Sequence, residues 1–309
     1  MAFLLLACFG EALFSESGEK APRMTQVTAG PIGEIGPRCS PDGRSLAFES
    51  VSPDHPETIQ LWIMPVGGTF SDAKPVLGYE KGKTYGEFSW SPDSAWLSFI
   101  EGTEGSNRVI SDQVSKVSSH TKRVVQLTKL TPRTSLGGTS WSKDGRILFE
   151  MNGALYVVTE ADRNIEKLMD AGAELHDATP LFPSWSPDGT RVVFTVEEAS
   201  SRRKGRALYV WDIRSGKVSK HFEGVGDDAP SWLDDDAILC SHVDDETHTS
   251  IWLVHISKGT DTQLTYGFFD ISPAVCPCGR NLYFARAGDR SRARYFLEGF
   301  HIWKLKIER

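Results

Sequence analysis

At 309 residues, with 39% hydrophobic and 24% charged side chains, the chain has the make-up of a folded globular protein rather than a disordered one. Its net charge of −7 argues against a general nucleic-acid binder, and no run reaches the ~20 apolar residues of a membrane-spanning helix. Nine Trp and 28 Gly fit a fold of many short strands, where rings fill gaps and glycines turn corners.

In chain order, Ala2–Phe9 is wholly apolar and the stretch to Lys20 turns small and polar. This segment has the apolar part of a secretory leader without its basic start, and Leu5-Leu6-Ala7-Cys8 resembles a lipobox. Residues 1–20 are therefore expected to be a leader and linker. The expected location is periplasmic, secreted or envelope-associated, with membrane contact only if Cys8 is lipidated.

From residue 21 onward a repeat takes over. Ser184-Trp185-Ser186-Pro187-Asp188-Gly189 is its best copy. Weaker copies centre on Asp42, Asp93, Asp144, Asp235 and Cys278, at intervals of 43 to 51 residues. Such a period marks stacked supersecondary units, mostly solenoids or propellers. Within the fourth unit, Pro183–Ser186 reads as a strand and Pro187-Asp188-Gly189 as a turn. Arg191–Val196, Ala207–Ile213 and Lys217–Phe222 read as three further strands. Four antiparallel strands make one propeller blade. The expected fold is thus all-β, a six-bladed propeller filling residues 21–309.

Closure is also predicted. Thr262-Gln263-Leu264-Thr265 ends the fifth unit, and Thr25-Gln26-Val27-Thr28 repeats that text before the first. The sixth unit stops after its third strand, so the N-terminal segment is expected to supply the missing outer strand.

The repeat resembles the TolB-like (PD40) propeller family, whose units carry W-S-P-D-G before an apolar strand, and the likeness covers residues 21–309. The resemblance implies a six-bladed ring and a partner-binding role in the cell envelope. It lacks the Gly-His partner of WD40 repeats. Related rings form the propeller half of S9-type peptidases and the scaffold of oligogalacturonate lyases, whose metal is held by His and Gln side chains. No G-x-S-x-G nucleophile elbow occurs.

Candidate ligand-binding residues come from the loops that share the upper face. Glu34, Asp227 and Asp270 lie five residues before the repeat's Trp position, with His176, Asp177 and Asp228 nearby. Converging carboxylates there would suit a divalent cation, but Asp at a loop-to-strand junction also bonds backbone N–H groups. Arg202, Arg203 and Arg206 form one basic loop and Arg286, Arg290, Arg292 and Arg294 another; arginine forks suit carboxylates or phosphates. His242–His248 reads as a solvated acidic loop, and Asp234–Asp236 as a turn. Trp90, Trp141, Trp185 and Trp232 are expected to pack between blades. Cys39, Cys240, Cys276 and Cys278 are expected as buried free thiols, with a Cys39–Cys276 disulfide as the alternative.

The expected function is a non-catalytic propeller that binds a protein or saccharide on its upper face, without cofactor and without nucleic acid. An enzyme at the channel mouth and the propeller half of a split peptidase stand as alternatives.

Overall fold

The computed structural model describes residues 24–31, 33–52, 54–104, 110–170, 175, 178–197, 206–226, 228–245, 248–266, 269–277, 279–288 and 298–307. Strand β1 (Met24–Gln26) precedes the first unit, which comprises β2 (Glu34–Cys39), β3 (Ser45–Ser52), β4 (His55–Pro65) and β5 (Lys74–Pro75). The second unit runs β6 (Lys83–Trp90), β7 (Trp96–Glu104), β8 (Ile110–Ser118) and β9 (Val124–Gln126). The third has β10 (Leu136–Trp141), β11 (Ile147–Met151), β12 (Ala154–Val158) and β13 (Ile165–Asp170). The fourth has β14 (Pro180–Trp185), β15 (Arg191–Val196), β16 (Arg206–Asp212) and β17 (Val218–Val225). The fifth has β18 (Ser231–Trp232), β19 (Ala237–Val243), β20 (Thr249–His255) and β21 (Thr260–Gln263), and the sixth β22 (Phe269–Val275), β23 (Asn281–Ala287) and β24 (His301–Lys306).

The first three units are separate four-stranded antiparallel sheets. The last three join into one longer sheet through single-residue pairings, Val225 with His242 and Thr249 with Phe269. Strand β18 is only two residues long because Pro230, just before it, lacks the N–H that a ladder needs. The expected latch is present. Strand β1 pairs antiparallel with β24, Met24 opposite Leu305 and Gln26 opposite Trp303, and gives the sixth group its fourth strand.

The matching text of the two Gln-x-Thr segments also makes matching bonds. Gln26 Nε2 donates to the Thr28 carbonyl at 2.9 Å, and Gln263 Nε2 to that of Thr265 at 3.0 Å. The threonine hydroxyls accept from third-strand amides, Ile302 N–H at 2.8 Å and Ile251 N–H at 2.9 Å. Gln126 and Thr128 repeat the pattern on Val114. A sequence likeness read at the two ends is therefore one piece of hydrogen-bond chemistry used three times.

The opening turn is held by its own side chains. Ser186 Oγ donates to Asp188 at 2.6 Å, and that carboxylate also accepts the Thr190 N–H at 2.9 Å. Ser40–Asp42 and Ser91–Asp93 repeat it, while Gly43 and Gly189 adopt φ of 72° and 74°, which glycine takes without strain. Burial would raise the Asp188 carboxyl, but the bonds from Ser186 and Thr190 and the charge of Arg191 outweigh it and hold it at about 2. The Asp234–Asp236 segment behaves as a turn: Asp234 accepts the Asp236 N–H, and Asp235 accepts the Asp188 N–H of the preceding unit at 2.8 Å.

The core lies between neighbouring units. Trp90 sits among Ala47, Leu61, Leu97 and Phe99, and Trp185 among Leu148, Leu155, Val192 and Phe194. Trp90 Nε1 donates to the Arg38 carbonyl at 3.0 Å and Trp232 Nε1 to that of Ser184 at 3.1 Å, each across a unit boundary. Two cysteine expectations are corrected. Cys39 and Cys276 are not free thiols but are joined by a disulfide, their Cα atoms 5.1 Å apart. The alternative pairing is the one that forms, because strands β2 and β22 are neighbours across the seam between first and last units although the two cysteines lie 237 residues apart in sequence. Cys240 is the buried free thiol expected, and Cys278 lies outside the described residues.

Candidate functional site

The innermost strands carry a recurrent irregularity. The pairing of first with second strand slips between Ile35 and Arg38, Gly86 and Ser89, Gly137 and Thr139, Leu181 and Ser184, and Ile271 and Ala274. The residue at each slip has left-handed backbone: Gly36, Glu87, Gly138, Phe182 and Ser272, with φ from 51° to 62°. All five stand six residues before the turn position of their unit. A bulge adds one unpaired residue, bends the strand and re-aims its side chains. Only two of the five are glycine. The left-handed conformation costs the other three, Phe182 most plainly, on the order of 1–3 kcal/mol each, a strain typical of functional sites.

These bulges line a central cavity of about 300 Å3, to which the first strand of all six units contributes. Its charged lining is Arg38, Glu49, Glu87 and Asp228. Two carboxylates anchor the bulge of the next unit. Glu49 accepts the Glu87 N–H at 2.7 Å, and Asp228 accepts the Ser272 N–H at 2.5 Å and bonds the Ser241 hydroxyl. The Glu87 side chain opens onto the cavity but is enclosed by its walls. Arg38 Nη1 donates to the Pro37 carbonyl at 3.0 Å, and among the described residues the guanidinium closes no ion pair.

Burial pushes the Glu49 carboxyl up to about 8, the nearby Glu87 charge adds to this, and the Glu87 N–H and Arg38 oppose it. Burial also raises Glu87, against the pull of Arg38. Burial lowers the Arg38 guanidinium, while Asp228, Glu49 and Glu87 hold it up. The folded Glu49 thus keeps its proton toward pH 8, whereas an unfolded one releases it near 4.5. Its contribution to stability is full below about 4.5 and is lost as the pH climbs through about 8. Glu49→Gln removes that loss. Urea unfolding from about pH 5 to about pH 8 should show wild-type stability falling more steeply than the variant's.

The sequence candidates fall into three places. Asp228 joins the channel. Glu34 and Asp270 lie at unit boundaries instead, fully buried. Glu34 Oε2 accepts from Thr28 Oγ1 at 2.7 Å and bonds His301 Nδ1 at 3.0 Å. Asp270 accepts two bonds from Arg286, Nε to Oδ1 at 2.6 Å and Nη2 to Oδ2 at 2.7 Å, and a further one from Thr265. Burial raises Asp270, and Arg286 opposes that. Arg206 is half-buried over the Phe182 ring, 5.5 Å from its centroid. His176, Asp177, Asp227, Arg202, Arg203, Arg290, Arg292 and Arg294 lie outside the described residues.

Sequence reasoning missed Arg38, Glu49 and Glu87. The available signal was the position six residues before the turn, where Gly36 and Gly138 stand in two copies. In the upper loop of the fifth unit, His242 Nδ1 and Ser250 Oγ both bond Asp244 Oδ1, at 2.9 and 2.8 Å. An Asp between His and Ser does not activate the hydroxyl, since the base must contact the nucleophile itself. Among the described residues, no three His, Cys, Asp or Glu side chains are grouped to hold a metal ion.

A scan against protein-family models finds no match. Solved structures do resemble the chain. TolB from Acinetobacter baumannii is 14% identical with a TM-score of 0.65, over 79% of this chain and 57% of that one. The chain therefore spans little more than half the length of that TolB. A putative TolB from Agrobacterium tumefaciens is 15% identical with a TM-score of 0.61, over 91% and 92%. An oligogalacturonate lyase in complex with manganese is 14% identical with a TM-score of 0.57, over 89% and 78%. Strand order, four-stranded antiparallel units and these likenesses agree: the chain has the TolB-like β-propeller fold.

Proposed function

We propose that this chain is a non-catalytic binding propeller of an exported, oxidising compartment, and that it takes a protein partner at its channel. The observation that carries the reading is the channel wall, where Arg38, Glu49, Glu87 and Asp228 surround one solvent-lined cavity. Strained bulges and desolvated charges persist only where the surrounding structure imposes them. Glu87 and Asp228 face a single guanidinium, and Glu49 adds its charge as the pH rises through about 8, so the wall favours a cationic polypeptide segment over a uronate or phosphate chain. The Cys39–Cys276 disulfide supports an oxidising location.

A second reading, an enzyme acting at the channel mouth, has the likeness to a manganese-bound oligogalacturonate lyase behind it. Calorimetric titration with a short lysine-rich peptide, its glutamate counterpart and a galacturonate oligomer separates the two. The expected result is binding of the lysine peptide alone, weakened about tenfold or more in Glu87→Gln/Asp228→Asn. Conversion of the oligomer to an ultraviolet-absorbing unsaturated product would sink the binding reading and establish the enzyme.

A further inference from the structure

The seam between the first and last units is crossed by the Glu34 bonds to Thr28 and His301 and is flanked by two further closures. Outside, β1 pairs with β24. Inside, Cys39 at the end of β2 is bonded to Cys276, the residue after β22. These two strands also build the channel: Arg38 precedes Cys39, and Ser272 on β22 gives its N–H to Asp228. We propose that Cys39–Cys276 is a redox-sensitive lock on the channel site, an inference that rests on the channel being the place where a partner binds. Oxidised, it pins the innermost strands of the seam together. Reduced, the seam is held by the β1–β24 pairing, the Glu34 bonds to Thr28 and His301, and packing, and the placement of Arg38 and Asp228 relaxes.

The chemistry needs a dithiol as reductant. One of its thiolates attacks a sulfur of the pair, the S–S bond breaks, and a mixed disulfide forms. Its second thiol then displaces the protein sulfur, so the dithiol leaves as a cyclic disulfide and Cys39 and Cys276 take up two electrons and two protons as thiols. Cys39 is half-buried, whereas Cys276 is 3% exposed among Leu46, Phe48, Met64, Tyr283 and Ile302. Attack therefore falls on the Cys39 sulfur, and Cys276 leaves into an apolar setting that disfavours its thiolate. A monothiol is expected to stall where a dithiol completes the exchange. Cys240 is fully buried in another cluster and takes no part.

The test uses the full chain with and without excess dithiothreitol, followed by alkylation, peptide mass analysis and hydrogen exchange. Without reductant, Cys39 and Cys276 should resist alkylation. With it, both should label, and protection in β2 and β22 should fall about tenfold more than in β11. Affinity for the lysine-rich peptide should fall by a similar factor. Cys39→Ser/Cys276→Ser should reproduce the reduced form. If it fails to fold, the reduced wild type alone decides. Full labelling without reductant, equal loss of protection in β11, or unchanged peptide affinity despite reduction would overturn the lock. A peptide that binds neither form counts against the channel reading, and the lock is then judged on exchange alone.

Discussion

Asp270→Ala is expected to lower the stability of the protein by about 3–5 kcal/mol, a fall in Tm of roughly 10 °C, without any ligand being involved. Asp270 is fully buried and the Arg286 side chain is 6% exposed, so neither charge is compensated by water. Two parallel bonds at 2.6 and 2.7 Å match guanidinium to carboxylate, and the guanidinium also lies 5.3 and 5.5 Å from the Phe284 and Trp303 rings. Removing the carboxylate strips a desolvated guanidinium of this bidentate partner. The pair as a whole is worth far less than that loss, because both ions were desolvated to form it. Asp270→Leu/Arg286→Met should therefore recover most of the stability lost in the single variant. Urea unfolding of Asp270→Leu, Arg286→Met and the double closes the cycle. A single variant within about 1 kcal/mol of wild type would show that the pair is not structural.

That outcome bears on what a sequence can reveal. The sequence marks Asp270 and Arg286 as ligand-binding residues of the upper-face loops, yet they meet each other through the register of β22 and β23, where they stand opposite. Pairing across strands is set by the bulge between Ile271 and Ala274, whose local hint is Pro273 in mid-strand. Glu34 tells the same story, since its partners Thr28 and His301 come from opposite ends of the chain. The ring, by contrast, was legible, because a Ser-x-Asp turn and a Gln-x-Thr exit are local chemistry repeated in text. The latch was legible for the same reason. The channel was not: Arg38, Glu49 and Glu87 become neighbours only when six first strands converge on one axis. The disulfide stands between the two cases: the repeat offers Cys39–Cys276 as an alternative to free thiols, and the closure of the ring brings their strands together.

The repeat hides a further regularity, and the other large expected effect rests on it. Five of the six second strands bury a phenylalanine opposite the third strand: Phe48 faces Trp62, Phe99 faces Ser115, Phe149 faces Tyr156, Phe194 faces Tyr209 and Phe284 faces Trp303. All five phenylalanines are 0% exposed. Phe194 stacks on Tyr209 with ring centroids 6.1 Å apart and planes within 6°. Truncating it removes a whole ring from a space bounded by rigid strands on both sides, which cannot collapse to fill the gap. Phe194→Ala should cost about 3–5 kcal/mol, and Phe194→Leu roughly half of that. The fifth unit supplies its own control. Cys240, opposite Trp252, stands where the others place phenylalanine, and Phe222 and His242 crowd the Trp252 ring at 5.5 Å. With so little volume to lose there, Cys240→Ala should cost only about 1 kcal/mol. Equal losses at Phe194 and Cys240 in thermal unfolding would mean that the two positions do not play the same part, and that the buried phenylalanine is not the unit on which each set of strands is built.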